Sequence, residues 1–164
     1  MSSQLTHEIE LYSLESFQTL LEHEVHRSRR YKSPLTLVHI ALETEPERPD
    51  VLYSAEMFTI NVLDFYLRDT DIPCRKGSEF LVLMPATNEE GGRIACERLA
   101  KSFNEPHQTL DRVSFNMVVY VGMASISAGE SLTSENLLQQ AIKAMRYARD
   151  HHITTAVSYS DIAK

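Results

Sequence analysis

The segment 34–42, PLTLVHIAL, is a near-continuous apolar run of strand length with Thr and Val in it. Such a run belongs to a central strand covered on both faces, because an alternating pattern would leave one face for water. The rest of the chain must supply two covering layers. Before the run, Leu14, Phe17, Leu21 and Val25 recur on one helical face from 14 to 31, and KSP at 32–34 ends that helix. After it, ETEPERPD at 43–50 combines two prolines with four acids and reads as a loop. Helix resumes with Met57, Ile60, Leu63 and Leu67, and Phe58, Val62 and Phe65 broaden its apolar stripe enough to suggest burial on more than one side.

The stretch 71–85, DIPCRKGSEFLVLMP, reads as two short strands around a turn at 76–78, where Gly77 takes positive φ without a Cβ clash. Pro73 has no N–H and is confined to a strand end or a non-bonded position. Asn88 caps a helix to about 104 with Ala95, Leu99 and Phe103 inward, and Arg93, Glu97 and Lys101 form an alternating-charge row that reads as a solvated face. A long strand over 112–126, a capped helix over 134–150 with Leu137, Ala141, Met145 and Ala148 inward, and a last strand over 155–159 complete the order. The expected fold class is α+β, an α/β sandwich with a mixed central sheet of about five strands surrounded by helices and carrying one β-hairpin. Residues 13–160 are expected to form a single domain, with an N-terminal extension over 1–12 and a tail over 161–164.

At 164 residues, 43% of them apolar and 24% charged, the chain has the profile of one folded domain. A net charge of −7 argues against nucleic-acid binding, which rests on clustered Lys and Arg. The local exception, Arg27, Arg29, Arg30 and Lys32, suits the negative end of a helix dipole. Cys74 and Cys96 are too few for a disulfide framework and are not spaced as a metal site, so both are expected as reduced thiols. The N-terminus lacks a leader pattern and no run reaches membrane-spanning length, which makes cytoplasmic residence the expectation. His23 with His26 and His151 with His152 read as helix-surface and helix-end residues, and Met57, Met117, Met123 and Met145 as core filler.

The stretch 68–85, RDTDIPCRKGSEFLVLMP, resembles the signature region of GGDEF domains, the family of diguanylate cyclases. The resemblance extends to PLTLVHIALE as first core strand, EEGGRIACERL as the helix after the hairpin, VVYVGMA as the next strand and LLQQAIKAMRYARDH as the last helix. It implies the family's fold and a relation to the condensation of two GTP molecules, a reaction needing two metal ions held by carboxylates. Several residues that the resemblance would require are replaced. Ala41 stands where the family has its first strand Asp, and Glu43 matches the second. The family's guanine-recognising Asn has no counterpart in the rebuilt segment 43–57, where Asp50 is the sole candidate survivor. The signature is shortened to GSEF at 77–80, with Ser78 at the metal-binding acid and Glu79 at the remaining one. Arg149 matches a phosphate-contacting Lys, whereas Ile142 and Ile153 replace a further acid and a basic residue. Magnesium is therefore not expected to bind in the family manner, and no catalytic residue is expected.

What the resemblance retains is the family's inhibitory nucleotide site, an RxxD motif five residues before the signature: Arg68 and Asp71, joined by Arg98 from the following helix. An Arg fork takes phosphate or the guanine Hoogsteen edge, and a carboxylate accepts from guanine N–H donors. The same residues would also suit a solvated helix-end ion pair and a charged helix face. The expected function is a catalytically inactive GGDEF-like signalling domain receiving cyclic di-GMP through Arg68, Asp71 and Arg98. The alternative is a nucleotide-independent protein-interaction or dimerisation module, with a homodimer among its forms, and a residual GTP-binding enzyme comes third.

Overall fold

A computed structural model describes residues 11–105, 108–110 and 113–163. The chain runs α1 (Leu14–Tyr31), β1 (Leu35–Glu45), α2 (Pro49–Tyr66), β2 (Ile72–Lys76), β3 (Glu79–Pro85), α3 (Glu89–Phe103), β4 (Gln108–Leu110), β5 (Val113–Ile126), α4 (Ser134–Asp150), β6 (Val157–Ser158) and α5 (Tyr159–Ile162). The sheet order is β2-β3-β1-β5-β4, with β6 joined to β5. All pairs are antiparallel except β5 with β6, so the sheet is mixed as expected.

The apolar run at 34–42 becomes the middle strand, and its two faces feed two cores. Val38, Ile40 and Leu42 join Phe80, Val82, Met84, Val121 and Met123 in a core that also holds Val51 and Leu63 of α2 and Leu99 and Phe103 of α3. On the opposite face Leu35 and Leu37 meet Leu81 and Leu83 under Phe17, Leu21 and Val25 of α1 and Leu137 of α4. Side chains alternate across a strand with period two, and both sets here are apolar. Gly122 lets α4 settle on β5, because a Cβ there would lie 2.1 Å from the Met145 backbone nitrogen. Caps fall where short polar side chains stand: the Ser13, Asn88 and Thr133 oxygens accept from the N–H groups of Ser16, Gly91 and Asn136.

Four expectations are corrected. The segment 43–50 is only briefly irregular: β1 continues through Glu45, each residue paired with β5 down to Asn116, and α2 starts at Pro49. Proline suits a first helical position because that N–H has no partner within the helix. A further strand, β4, lies before β5. The expected closing strand shrinks to Val157–Ser158, since the Ser158 N–H donates to Asp161 Oδ2 (3.1 Å) and so begins α5. Arg93 is not part of a solvated row. It donates to Asp161 (2.6 and 3.0 Å), Glu89 (3.2 Å) and Ser160 (3.2 Å), tying α3 to the end of the described chain. Among the described residues no helix is long and apolar enough to cross a membrane.

Candidate functional site

The C-terminal end of α2, the turn after it, the end of β3 with the loop that follows, and α3 line a cavity of about 350 Å³. Arg68, Asp71 and Arg98, singled out through the resemblance of RDTD and CERL to the family's motifs, all line it, together with Tyr66, Thr87 and Ile94. Asp71 is buried and acts as an anchor. It accepts the Arg68 backbone N–H at Oδ2 (2.9 Å) and Arg68 Nη2 at Oδ1 (3.0 Å), while its own N–H donates to the Arg68 carbonyl (3.0 Å). Arg68 Nη2 also donates to Thr87 Oγ1 (2.6 Å) and to the Pro85 carbonyl (3.2 Å).

One nitrogen of the fork is thus fixed, while Nε and Nη1 have no partner among the described residues. A guanidinium held this way loses less rotamer freedom when it takes up an anion. Arg98 projects from α3 into the same space, exposed and with no ion pair among the described residues. Two forks around one buried carboxylate have the donors and acceptor that an anionic ligand with N–H groups would need. Neither Thr87 nor Tyr66 carried a sequence signal, because each joins the cavity through tertiary packing.

The hairpin tip is built differently. Gly77 has φ +61° in a two-residue turn, as its position required. The ladder sets Ala41 opposite Glu79 and Ile40 opposite Phe80. Ala41 is buried among Tyr120, Ala144, Met145 and Ala148. Glu79 Oε1 accepts from His39 Nε2 (3.0 Å), and His39 is buried with its Nδ1 lacking any partner among the described residues. Burial holds the His39 pKa below its usual value, with the Glu79 charge and hydrogen bond opposing and Lys76 and Arg146 adding to the lowering.

Glu43 is exposed on the far reach of β1. Burial and the Glu43 charge raise the pKa of the Tyr120 hydroxyl, and Arg149 partly offsets them, which places both charges near that ring. Ser78 is half-buried in the turn and precedes Glu79, the first residue of β3. Arg75 Nε donates to the Gly77 carbonyl (3.1 Å), and Arg75 Nη2 pairs with the buried Glu56 of α2, a lock across the tip with no local sequence signature. Asp50 forms an exposed pair with Arg48 (3.1 Å) at the start of α2.

The pair of hard cations used by nucleotide-condensing sites does not fit these residues. Such ions want several oxygen ligands. Here Ala41 offers a methyl group, Glu79 is engaged by His39, and no group of three or more His, Cys, Asp or Glu among the described residues is placed to hold a metal.

The family described as "Diguanylate cyclase, GGDEF domain" matches residues 59–154. The structure is similar to the active GGEEF domain of a diguanylate cyclase from Vibrio cholerae, at 15% identity over 92% of this chain and 98% of that chain, with a TM-score of 0.77. It is similar to the GGDEF domain of YfiN (TpbB) from Pseudomonas aeruginosa at 19% identity, over 91% of this chain and 96% of that chain, with a TM-score of 0.77. The GGDEF domain of DgcB from Caulobacter crescentus, solved in complex with c-di-GMP, matches at 8% identity over 98% of both chains, with a TM-score of 0.75. At these identities the likeness is one of fold. A search of curated proteins finds no match.

Proposed function

The chain belongs to the GGDEF domain family, and from that membership we propose that it is a catalytically silent signalling domain that receives cyclic di-GMP at the cavity of Arg68, Asp71 and Arg98. One observation carries the reading: three residues spread over thirty-one positions converge on one cavity, with Arg68 already held by Asp71 and Arg98 unpaired among the described residues. The two guanidinium groups suit phosphate or the acceptor edge of guanine, and any Asp71 lone pair not taken by Arg68 suits its N–H donors.

Catalytic silence is supported by the hairpin region. Phosphoryl transfer draws most of its acceleration from metal ions and positioned charge. Ala41, Ser78 and the His39-bound Glu79 leave that charge unheld. Residence in the cytoplasm fits a receptor for a nucleotide signal.

Isothermal titration calorimetry with cyclic di-GMP tests the receptor role: saturable heat from the native chain and none from Arg68→Ala is the expected pattern. No heat from the native chain would remove it, and a protein partner retained with or without dinucleotide would then favour an interaction module. The exposed Phe65 and Ile94 beside the cavity would suit such a partner. Incubation with GTP and magnesium, followed by chromatography, tests the silence, and a dinucleotide product would overturn it.

A further inference from the structure

The cavity has two unlike walls. One is ionic, made of Arg68, Asp71 and Arg98, and the other is apolar, with Tyr66, Leu67 and Ile94 along it. Tyr66 is 43% exposed, although it sits at the end of a helix whose neighbouring turn is packed into the core. Its ring is fixed at two points. Ser102 Oγ of α3 donates to the Tyr66 hydroxyl (3.0 Å), and Phe65 packs against the ring at a centroid distance of 4.9 Å and an interplanar angle of 59°. A large aromatic surface held in place and left open, beside an arginine with no ion pair among the described residues, is costly in water unless something flat covers it.

Resting on the cyclic dinucleotide reading above, we infer that Tyr66 is a specificity-determining residue of this site, against which one purine ring of the ligand stacks. The two walls match the two halves of a nucleotide: forks for the phosphate and the base edge, and an aromatic plane for the base face. Because a stacked face is read by area and polarisability rather than by its donors and acceptors, Tyr66 favours purines over pyrimidines without separating guanine from adenine. The base edge, met by Asp71 and the arginines, makes that second distinction. Ser102 and Phe65 hold the ring ready, so little entropy is lost when the base arrives.

The test uses calorimetry with cyclic di-GMP on the native chain, Tyr66→Phe and Tyr66→Leu, with the Tyr66 ring resonances followed by NMR during the native titration. Tyr66→Phe keeps the π-face and is expected to bind within about twofold of the native chain, whereas Tyr66→Leu keeps apolar bulk without that face and is expected to lose about tenfold or more in affinity. In the native chain the Tyr66 ring protons shift upfield as the base covers them, a change that a merely structural role does not produce. Native binding with unmoved Tyr66 resonances and an unaffected Tyr66→Leu would overturn the stacking inference alone. A Tyr66→Phe chain that is folded but does not bind would also overturn it, by shifting the role to the hydroxyl. Failure of the native chain to bind removes the receptor reading, and this inference with it.

Discussion

Ala41 and Glu79 stand directly opposite each other across the β1–β3 ladder, the methyl group buried and the carboxylate bonded to His39. In a metal-dependent site that pairing would bring two acids together. Restoring an acid with Ala41→Asp would place a carboxylate among Tyr120, Ala144, Met145 and Ala148, beside the Glu79 charge. Desolvation and like-charge repulsion act in the same direction there, so a loss of roughly 2–4 kcal/mol is expected. Urea denaturation measures the loss, and the same protein incubated with GTP and magnesium is expected to form no dinucleotide, because Ser78 and the His39 contact remain.

Asp71 organises the cavity from within. Replacing it with Ala leaves the Arg68 backbone N–H without its buried acceptor and frees the guanidinium, at an expected cost of about 1–3 kcal/mol in stability. Affinity for cyclic di-GMP is expected to fall at least about tenfold. Asp71→Asn keeps one acceptor oxygen but no charge, and calorimetry should place it between the native chain and Asp71→Ala.

His39 makes stability depend on pH. Its folded pKa lies below the unfolded value of about 6.5, so below that pH the unfolded chain binds the proton more readily. The stability contributed by neutral His39 is complete above about pH 6.5 and is lost as pH falls toward the folded pKa, at up to about 1.4 kcal/mol per pH unit. Protonation would leave Nδ1–H buried without an acceptor among the described residues. Thermal melts between about pH 7.5 and 5.5 are expected to show the native chain declining, with that slope reduced in His39→Leu; equal slopes would count against the assignment.

The ionic half of the cavity was legible through the resemblance of RDTD and CERL to the family's motifs, because the bare spacing of Arg68 and Asp71 suits a solvated helix-end pair equally well. The middle strand was legible too, since burial on both faces writes itself as an unbroken apolar run. The pairs that escaped are those closed by the fold. Arg75 and Glu56 are 19 positions apart and Arg93 and Asp161 are 68, so no local spacing pairs them, and Arg93 read as solvated until the tertiary structure brought its partner. The extension of β1 through Glu45 escaped for the same reason. Its acids are poor strand formers, and only the β5 ladder beside them makes the conformation favourable.

Arg75 holds the hairpin tip to α2, and its removal should be felt at both ends. Arg75→Ala leaves the Glu56 carboxylate buried and unpaired, and because Arg75 is itself partly exposed the expected cost is about 2–3 kcal/mol. The double variant Arg75→Ala with Glu56→Leu is expected to recover most of that loss, since it removes the stranded charge as well. Amide exchange at Gly77 and Ser78 should quicken in the single variant, where the Gly77 carbonyl has lost its donor.

Neither thiol should behave as a reactive site while the chain is folded. Burial pushes the Cys96 thiol up to about 12, with the Glu97 charge adding to the shift, and burial also raises Cys74 despite the opposing charge of Lys76. Thiolate, not thiol, attacks disulfide reagents, so both residues hold too little of the reactive form near neutral pH. Labelling with a disulfide-type reagent at about pH 8 is expected to be slow for the native chain and to release two equivalents quickly in denaturant. A fast single equivalent from the folded chain would mean that one of the two sites opens to solvent, and its loss in Cys74→Ser or Cys96→Ser would identify which.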